Sequence, residues 1–151
     1  KLNQEKLTEI IGKLGGERFA DRIARAIKSK LPKTSKGLSD LILKTLPKDY
    51  KRGRIHPATR TFLALRIFVN DEIANLEKIL VQIPKIMKVN GRVAIISFNS
   101  LEDRLVKNHF RELAKNGLAE NLIKKGTGPT DFEIAQNPRA RSAKLRAIKI
   151  L

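Results

Sequence analysis

The segment Arg92–Phe98 constrains the fold of this chain more than any other. Its interior is continuously apolar, and it follows an Asn90-Gly91 turn. Such a run is typical of a strand that is buried on both faces of a parallel sheet. A helical pattern lies on each side of it, and a last strand is predicted over Ala143–Ile150. Helices and strands in this order predict an α/β fold.

The other elements are predicted to be mostly helical. The spacing of apolar residues predicts helices over 4–14, 17–30, 35–46, 59–83 and 101–116, and a short strand is predicted over 122–125. The helix over 59–83 is the longest, and Pro84 follows it. The first fifty residues form a small all-helical unit, which a polar, basic linker over 48–54 separates from the rest.

The charge balance favours a polyanionic partner. The chain has 32 Lys and Arg against 15 Asp and Glu, a net charge of +17, which gives a strongly positive surface field. RNA or DNA is the first expectation and an anionic membrane surface the second; a merely lysine-rich protein is the alternative. Cysteine is absent, which excludes disulfides and cysteine-ligated metals. No apolar run approaches the roughly 20 residues of a membrane span.

Two segments place polar side chains at predicted helix starts. His56-Pro57-Ala58-Thr59-Arg60 begins the long helix, where Thr59 or Thr61 is the predicted cap and free N–H groups favour an anion. His56 is either a structural hydrogen-bonding group or a functional one. Ser97–Ser100 follows the apolar strand, at the edge where α/β proteins bind ligands. Ser100 and Asp103 have capping-box spacing, so this segment is either a helix cap or the edge of a site.

Two stretches concentrate the basic residues. Residues 44–66 hold seven Lys or Arg and one acid, and residues 137–149 hold five and none. Arg139 and Arg141 precede the last strand, and arginine forks suit phosphate. These stretches predict contacts with RNA phosphates, with an exposed basic terminus as the alternative for the second. The chain has no Walker loop and no Gly-x-Gly-x-x-Gly motif.

Taken together, the motifs resemble a known family: the bacterial and organellar small-subunit ribosomal RNA methyltransferase that modifies the exocyclic amine of a cytidine. The resemblance covers nearly the whole chain. It rests on the following segments: His56-Pro57-Ala58-Thr59-Arg60-Thr61-Phe62, Val69-Asn70-Asp71-Glu72, Ile96-Ser97-Phe98, Ser100-Leu101-Glu102-Asp103-Arg104, Asn137-Pro138-Arg139 and Arg141-Ser142-Ala143-Lys144-Leu145-Arg146.

The resemblance implies a class I methyltransferase fold, Rossmann-like, that is interrupted by a small helical domain and uses S-adenosylmethionine. Residues 1–50 would be the helical, RNA-recognising insertion, and 51–151 the C-terminal half of the catalytic domain. The family's N-terminal cofactor-binding half has no counterpart in this sequence, which begins at Lys1. We therefore expect a fragment that is inactive alone. Asn99 stands where the family usually carries histidine, and asparagine does not titrate near neutral pH.

The resemblance also assigns roles to residues. Five residues are expected in catalysis: His56, Arg60, Asn70, Ser97 and Asn99. Phe98 and Ser100 are expected to contact the cofactor. Six residues are expected to bind RNA: Arg52, Arg54, Arg66, Arg139, Arg141 and Lys144. The expected partner is ribosomal RNA of the small ribosomal subunit, in the cytoplasm, with no membrane and no metal, and with a homodimer as a further expectation. The alternatives are a non-catalytic RNA-binding or ribosome-assembly protein and an inactive fragment.

Overall fold

The computed structural model describes residues 2–52 and 55–151, and only the backbone of residues 51 and 52. The described part contains seven α-helices and three strands. The chain divides into two compact units, residues 1–72 and 73–151, whereas the predicted boundary follows residue 50. None of the described helices combines the length and the apolar character that crossing a membrane requires.

The first unit is helical. It contains α1 (Gln4–Gly15), α2 (Ala20–Lys30), α3 (Ser35–Thr45), a 3₁₀ turn (Lys48–Arg52) and α4 (Thr59–Val69). Aliphatic side chains from these helices form one buried cluster, whose members include Leu7, Ile11, Ile23, Ile42 and Leu46. The all-helical character predicted for residues 1–50 is confirmed, and α4 extends the unit because it packs directly on α1.

The predicted helix over 59–83 is wrong, because the chain forms two helices there. α4 ends at Val69, and α5 runs over Glu72–Ile86. Asp71 between them has φ of 49°, in the left-handed region that a continuous α-helix does not use. Pro84 lies inside the last turn of α5 rather than after it.

The second unit places α6 (Ser100–Lys115) on a three-stranded sheet. Its strands are β1 (Arg92–Ser97), β2 (Ala119–Asn121) and β3 (Lys144–Ile150), and a short helix α7 (Asp131–Gln136) and a 3₁₀ turn (Pro138–Ser142) precede β3. The order is β1-β3-β2, so β3 is central. Val106, Phe110 and Leu113 of α6 and Ile148 and Ile150 of β3 belong to its buried core.

The strand predicted over 92–98 is confirmed, but its parallel, doubly buried character is wrong. β1 pairs with β3 in antiparallel register, with Ser97 opposite Lys144. Ala94 and Ile96 are exposed, because β1 is an edge strand with one face uncovered in this unit. The last strand is confirmed as β3. The strand predicted over 122–125 is instead irregular, and the amides of Leu122 and Ile123 both donate to the carbonyl oxygen of Ala147, at 3.0 and 3.4 Å.

Candidate functional site

The antiparallel pairing of β1 and β3 builds one polar edge of the sheet. Because Ser97 lies opposite Lys144, the residues that follow β1 and those that precede β3 meet at this edge. The Ser97 hydroxyl is buried and donates to the carbonyl oxygen of Lys144 at 3.4 Å. Ser97 therefore joins the two strands at the edge instead of presenting its hydroxyl to solvent.

Asn99, rather than Ser100, caps α6. The Asn99 Oδ1 accepts hydrogen bonds from the amides of Leu101 and Glu102, both at 3.0 Å. The Glu102 carboxylate in turn accepts from the Phe98 amide at 2.9 Å, so the reciprocal pair is Asn99 with Glu102. The predicted capping box of Ser100 and Asp103 is wrong, because Ser100 is already the first residue of the helix.

Two groups at this edge have no structural role in the described part of the chain. The Asn99 Nδ2 is buried, and no described residue accepts a hydrogen bond from it. Phe98, which follows β1, is 53% exposed. An aromatic face and an amide donor side by side suit a flat, polar ring such as a nucleobase.

Three of the six cations predicted to bind RNA belong to the segment that leads into β3. Arg139 and Arg141 belong to the 3₁₀ turn before β3, and both are exposed. Ala140 between them is buried and anchors the turn, while the Asn137 side chain accepts from the Arg139 amide at 3.3 Å. Lys144 is half-buried at the start of β3. The register of β1 and β3 thus places Lys144 beside the end of β1, and Arg139 and Arg141 precede Lys144 by five and three residues.

In the first unit, His56 and Arg66 line one open pocket of about 400 Å³ together with Thr59, Phe62 and Leu63. The His56 Nδ1 accepts a hydrogen bond from the Ala58 amide at 3.2 Å. The predicted caps Thr59 and Thr61 do not cap α4; the Thr61 side chain is buried.

Glu72 holds Arg66 and Asn70. The Arg66 guanidinium donates to both carboxylate oxygens, at 2.8 and 3.0 Å, and the Asn70 Nδ2 donates to one of them at 3.2 Å. The hydrogen bond from Arg66 is the main cause that lowers the pKa of the Glu72 carboxyl. The Arg66 side chain is 56% exposed.

Arg60 does not line the pocket of His56. Its Nη1 donates to the carbonyl oxygen of Gly16 and to the Tyr50 hydroxyl, both at 3.4 Å. That hydroxyl donates to the buried carboxylate of Glu17 at 2.5 Å, and burial together with Glu17 raises the pKa of Tyr50. Arg54 and the side chain of Arg52, both predicted to bind RNA, lie outside the described residues.

Two features of the second unit were not predicted from the sequence. Arg146 is buried on the inner face of β3 and forms a two-pronged ion pair with Asp103, at 2.7 and 3.0 Å. Lys107 and Arg111 of α6 line a second pocket with Lys124 and Lys125. The four-residue spacing of Lys107 and Arg111 was the available signal for this pocket.

Among the described residues no cluster of His, Asp and Glu suits a metal ion.

Comparison with known proteins gives the family. The profile of the MraW methylase family matches residues 1–151. The Ribosomal RNA small subunit methyltransferase H of Nostoc sp. is 50% identical over 145 residues, which are 95% of this chain and 47% of that protein. The protein of the same name from Coprothermobacter proteolyticus is 45% identical over 152 residues, 98% of this chain and 50% of that protein.

A third relative, the Ribosomal RNA small subunit methyltransferase H of Sulfurihydrogenibium sp., is 44% identical over 147 residues, 95% of this chain and 50% of that protein. The chain thus spans about half the length of the curated relatives it matches. The family resemblance inferred from the motifs is confirmed along the whole sequence, and the chain belongs to the MraW methylase family.

Proposed function

We propose that the protein transfers a methyl group from S-adenosylmethionine to the exocyclic amine of a cytidine in small-subunit ribosomal RNA, in the cytoplasm. The observation that carries this proposal is the family match over residues 1–151, with relatives that are named as small-subunit ribosomal RNA methyltransferases. The match favours an enzyme over a non-catalytic RNA-binding protein. Because those relatives are about twice as long, the activity is proposed for the intact protein.

The proposal also assigns a different role to each of two segments of the chain. Residues 1–50 are assigned to the RNA-recognising insertion, and 51–151 to the C-terminal half of a class I methyltransferase fold. The antiparallel sheet with α6 against it would form one side of such a fold. The glycine-rich cofactor loop and the ribose-binding acid of the family are expected from the half of its length that has no counterpart here.

The described residues fit S-adenosylmethionine at one edge only. The Asn99 Nδ2 is a buried donor that no described residue engages, and the exposed Phe98 ring offers a stacking face. The neighbouring acids are occupied, because Glu102 accepts from the Phe98 amide and Asp103 pairs with Arg146. Phe98, Asn99 and Ser100 would therefore hold one side of the cofactor or of the target base, and a ribose would need carboxylates from elsewhere.

Methyl transfer to a cytidine amine depends mainly on how the protein orients the base relative to the methyl group. The cofactor supplies a methyl group on a positively charged sulfur. The lone pair of a cytidine amine is delocalised into the ring, so the protein must hold the base in line and accept a proton from its amine. In the second unit, the Phe98 face and the Asn99 amide can orient a ring, while Arg139, Arg141 and Lys144 can hold flanking phosphates. In the first unit, His56 Nε2 and the Thr59 hydroxyl are polar groups beside an apolar pocket.

The direct test is a methylation assay with the intact protein. Unmodified small ribosomal subunits are incubated with S-adenosylmethionine that carries a labelled methyl group, and the RNA is digested to nucleosides for mass spectrometry. The expected product is a cytidine methylated on its exocyclic amine. Label in another nucleoside would reject the proposed substrate, and RNA binding without any label would favour the assembly-factor alternative.

Asn99→Ser separates the cap of α6 from the proposed ligand contact. Serine keeps an oxygen that caps a helix but removes the Nδ2 donor. We expect methylation to fall roughly tenfold or more, which corresponds to about 1.4 kcal/mol of lost binding in the transition state. The free energy of unfolding should stay within about 0.5 kcal/mol of that of the wild type. Asn99→Asp, which also keeps the cap and lacks the donor, should reproduce the loss; wild-type rates in both variants would remove Asn99 from the site.

Arg139→Gln with Arg141→Gln tests the RNA contact at the sheet edge. Both side chains are exposed and their turn is anchored by Ala140, so the fold should tolerate the change. We expect RNA affinity to fall roughly tenfold and the loss to shrink at high salt, because phosphate contacts depend on salt. The matched control is Lys85→Gln with Lys88→Gln, which removes two exposed cations from the same unit. Equal losses in the two variants would mean that net charge, and not this edge, determines binding.

A further inference from the structure

The second unit contains a basic pocket of about 400 Å³, which five cations line. Lys107 and Arg111 reach it from α6, Lys124 and Lys125 from the segment after β2, and Arg146 from β3. We call the cavity that these five side chains line the basic pocket. No acidic side chain lines it in the described part of the chain, and none of its residues belongs to the sheet edge described above.

Four of the five charges are not neutralised by the protein. Arg146 is paired with Asp103 at 2.7 Å. Lys107, Arg111, Lys124 and Lys125 form no ion pair with any described residue. Lys107 has only a coulombic effect on Asp103, the smallest of the causes that lower the pKa of that carboxyl. The basic pocket therefore has a net positive charge that a bound anion would offset.

The arrangement has an electrostatic cost in the free protein. Lys107 and Arg111 lie one helical turn apart on α6, where like charges destabilise a helix. The four-residue spacing puts both on one face of α6, and they line the pocket together with Lys124 and Lys125 from the segment after β2. Cations that converge from two elements suit an anion held between them, and the arginine fork suits a phosphate oxygen pair.

The walls of the pocket indicate which anion it accepts. Phe110 and Ile123 give it an apolar part, and Asn121 gives it an amide. This lining and its volume exceed what a bare phosphate ion needs and suit a phosphate with part of its nucleoside. S-adenosylmethionine carries a net positive charge, so this site would repel it. Arg111, Lys124 and Lys125 are exposed, which leaves the pocket open to a long polyanion.

We propose that the basic pocket binds a backbone phosphate of the RNA substrate, as a second contact beyond the sheet edge. This inference rests on the proposed function. Lys107 is seven residues along α6 from Ser100, a distance of roughly 10 Å at 1.5 Å per residue. A single RNA strand can therefore reach the sheet edge and the basic pocket of the same unit. Contacts at both places would fix the direction of the strand across α6.

The test is the affinity of the intact protein for a fluorescent single-stranded RNA, measured by anisotropy over a range of salt concentrations and without methyl donor. The pocket variant is Arg111→Gln with Lys124→Gln, one cation from each side. We expect a roughly tenfold loss of affinity and a slope of log affinity against log salt that is smaller by about 0.7, the value for one phosphate of a single strand. The control, Lys85→Gln with Lys88→Gln, removes the same charge at exposed positions outside the pocket and should leave the slope unchanged.

Three outcomes would overturn the inference. Equal affinity losses in the pocket variant and in the control would assign the effect to net charge. A wild-type affinity in the pocket variant would show that RNA does not enter the pocket. The third outcome combines two results: cytidine monophosphate binds the wild type and not the pocket variant, and RNA affinity is the same in both. That combination would identify a free nucleotide as the ligand. Because no methyl donor is present, a failure of the proposed methylation cannot be mistaken for any of these results.

Discussion

Replacing Asp103 by alanine should lower the free energy of unfolding by about 3 kcal/mol, the cost of leaving a buried cation without its partner. Arg146 is only 6% exposed, and both of its hydrogen bonds to Asp103 are short, 2.7 and 3.0 Å. Without the carboxylate, the guanidinium would have to move into the solvent or remain uncompensated in the unit. Urea denaturation of the intact protein, followed by circular dichroism, measures the effect.

Two further variants make this prediction specific. Glu120→Ala removes the partner of Lys149, also on β3, but that pair is 3.6 Å apart and Glu120 is 59% exposed. We expect a change below about 0.5 kcal/mol there. Asp103→Ala combined with Arg146→Met removes both charges and should regain most of the lost stability, because an apolar pair can replace a buried ion pair. Equal effects of Asp103→Ala and Glu120→Ala would show that the inner pair is not buried in the protein.

The same pair predicts a dependence on pH. The hydrogen bond from Arg146 is the largest cause that lowers the pKa of Asp103. A carboxyl whose pKa is lower in the folded state than its ordinary value of about 3.9 stabilises the fold above that value. The stabilisation is lost as the pH falls through the lowered pKa of the folded state. The difference in stability between wild type and Asp103→Ala should therefore be constant near neutral pH and shrink below about pH 3.9.

The ion pair of Asp103 and Arg146 was not predicted because the two residues lie far apart along the chain. In the last strand Arg146 falls between Leu145 and Ala147, and its charge groups it with the other cations of the strand, Lys144 and Lys149. Strand alternation actually places it on the inner face with Ile148 and Ile150. An arginine is stable there only because Asp103, 43 residues earlier, meets it. Local patterns contain no information about such a partner.

The apolar run of β1 shows a second limit of local patterns. The run predicted a strand, which is confirmed, but it does not distinguish a strand covered on both faces from an edge strand with an uncovered apolar face. Ile96 is 56% exposed in the described structure, and β3 runs antiparallel to β1. Pairing direction depends on the connection between strands. The helix break at Asp71 was missed for a related reason, since apolar periodicity continues on both sides of it.

The roles of the candidate site residues stay predictions, although the topology accounts for part of their placement. Phe98–Ser100 and residues 139–144 belong to two segments about 40 residues apart, and the register of β1 and β3 brings the end of β1 next to Lys144. Ser97 is the exception there, because its hydroxyl is buried in a contact between strands. The basic pocket was missed because its two sides are brought together by packing of α6 on the sheet.

The close contact of α1 with α4 makes Gly15→Ala the other variant with a large expected effect. A Cβ on Gly15 would clash with the backbone carbonyl oxygen of Arg60 and would lie 3.1 Å from the Cβ of Ala64. A carbonyl in the first turn of a helix cannot rotate away as a flexible side chain can, so α4 would have to shift. We expect a loss of about 2 kcal/mol in the free energy of unfolding, measured by urea denaturation.

Gly12→Ala is the matched control, because it makes the same change in the same helix. A Cβ there would lie 3.6 Å from the Cβ of Ala20, an ordinary contact. Alanine in a helix interior is favoured over glycine, so this variant should gain about 0.5–1 kcal/mol. The displacement of α4 in Gly15→Ala would also move Arg60 away from Gly16 and Tyr50. If the two alanine variants had the same stability, the close packing of α1 on α4, and with it the position of Arg60, would be refuted.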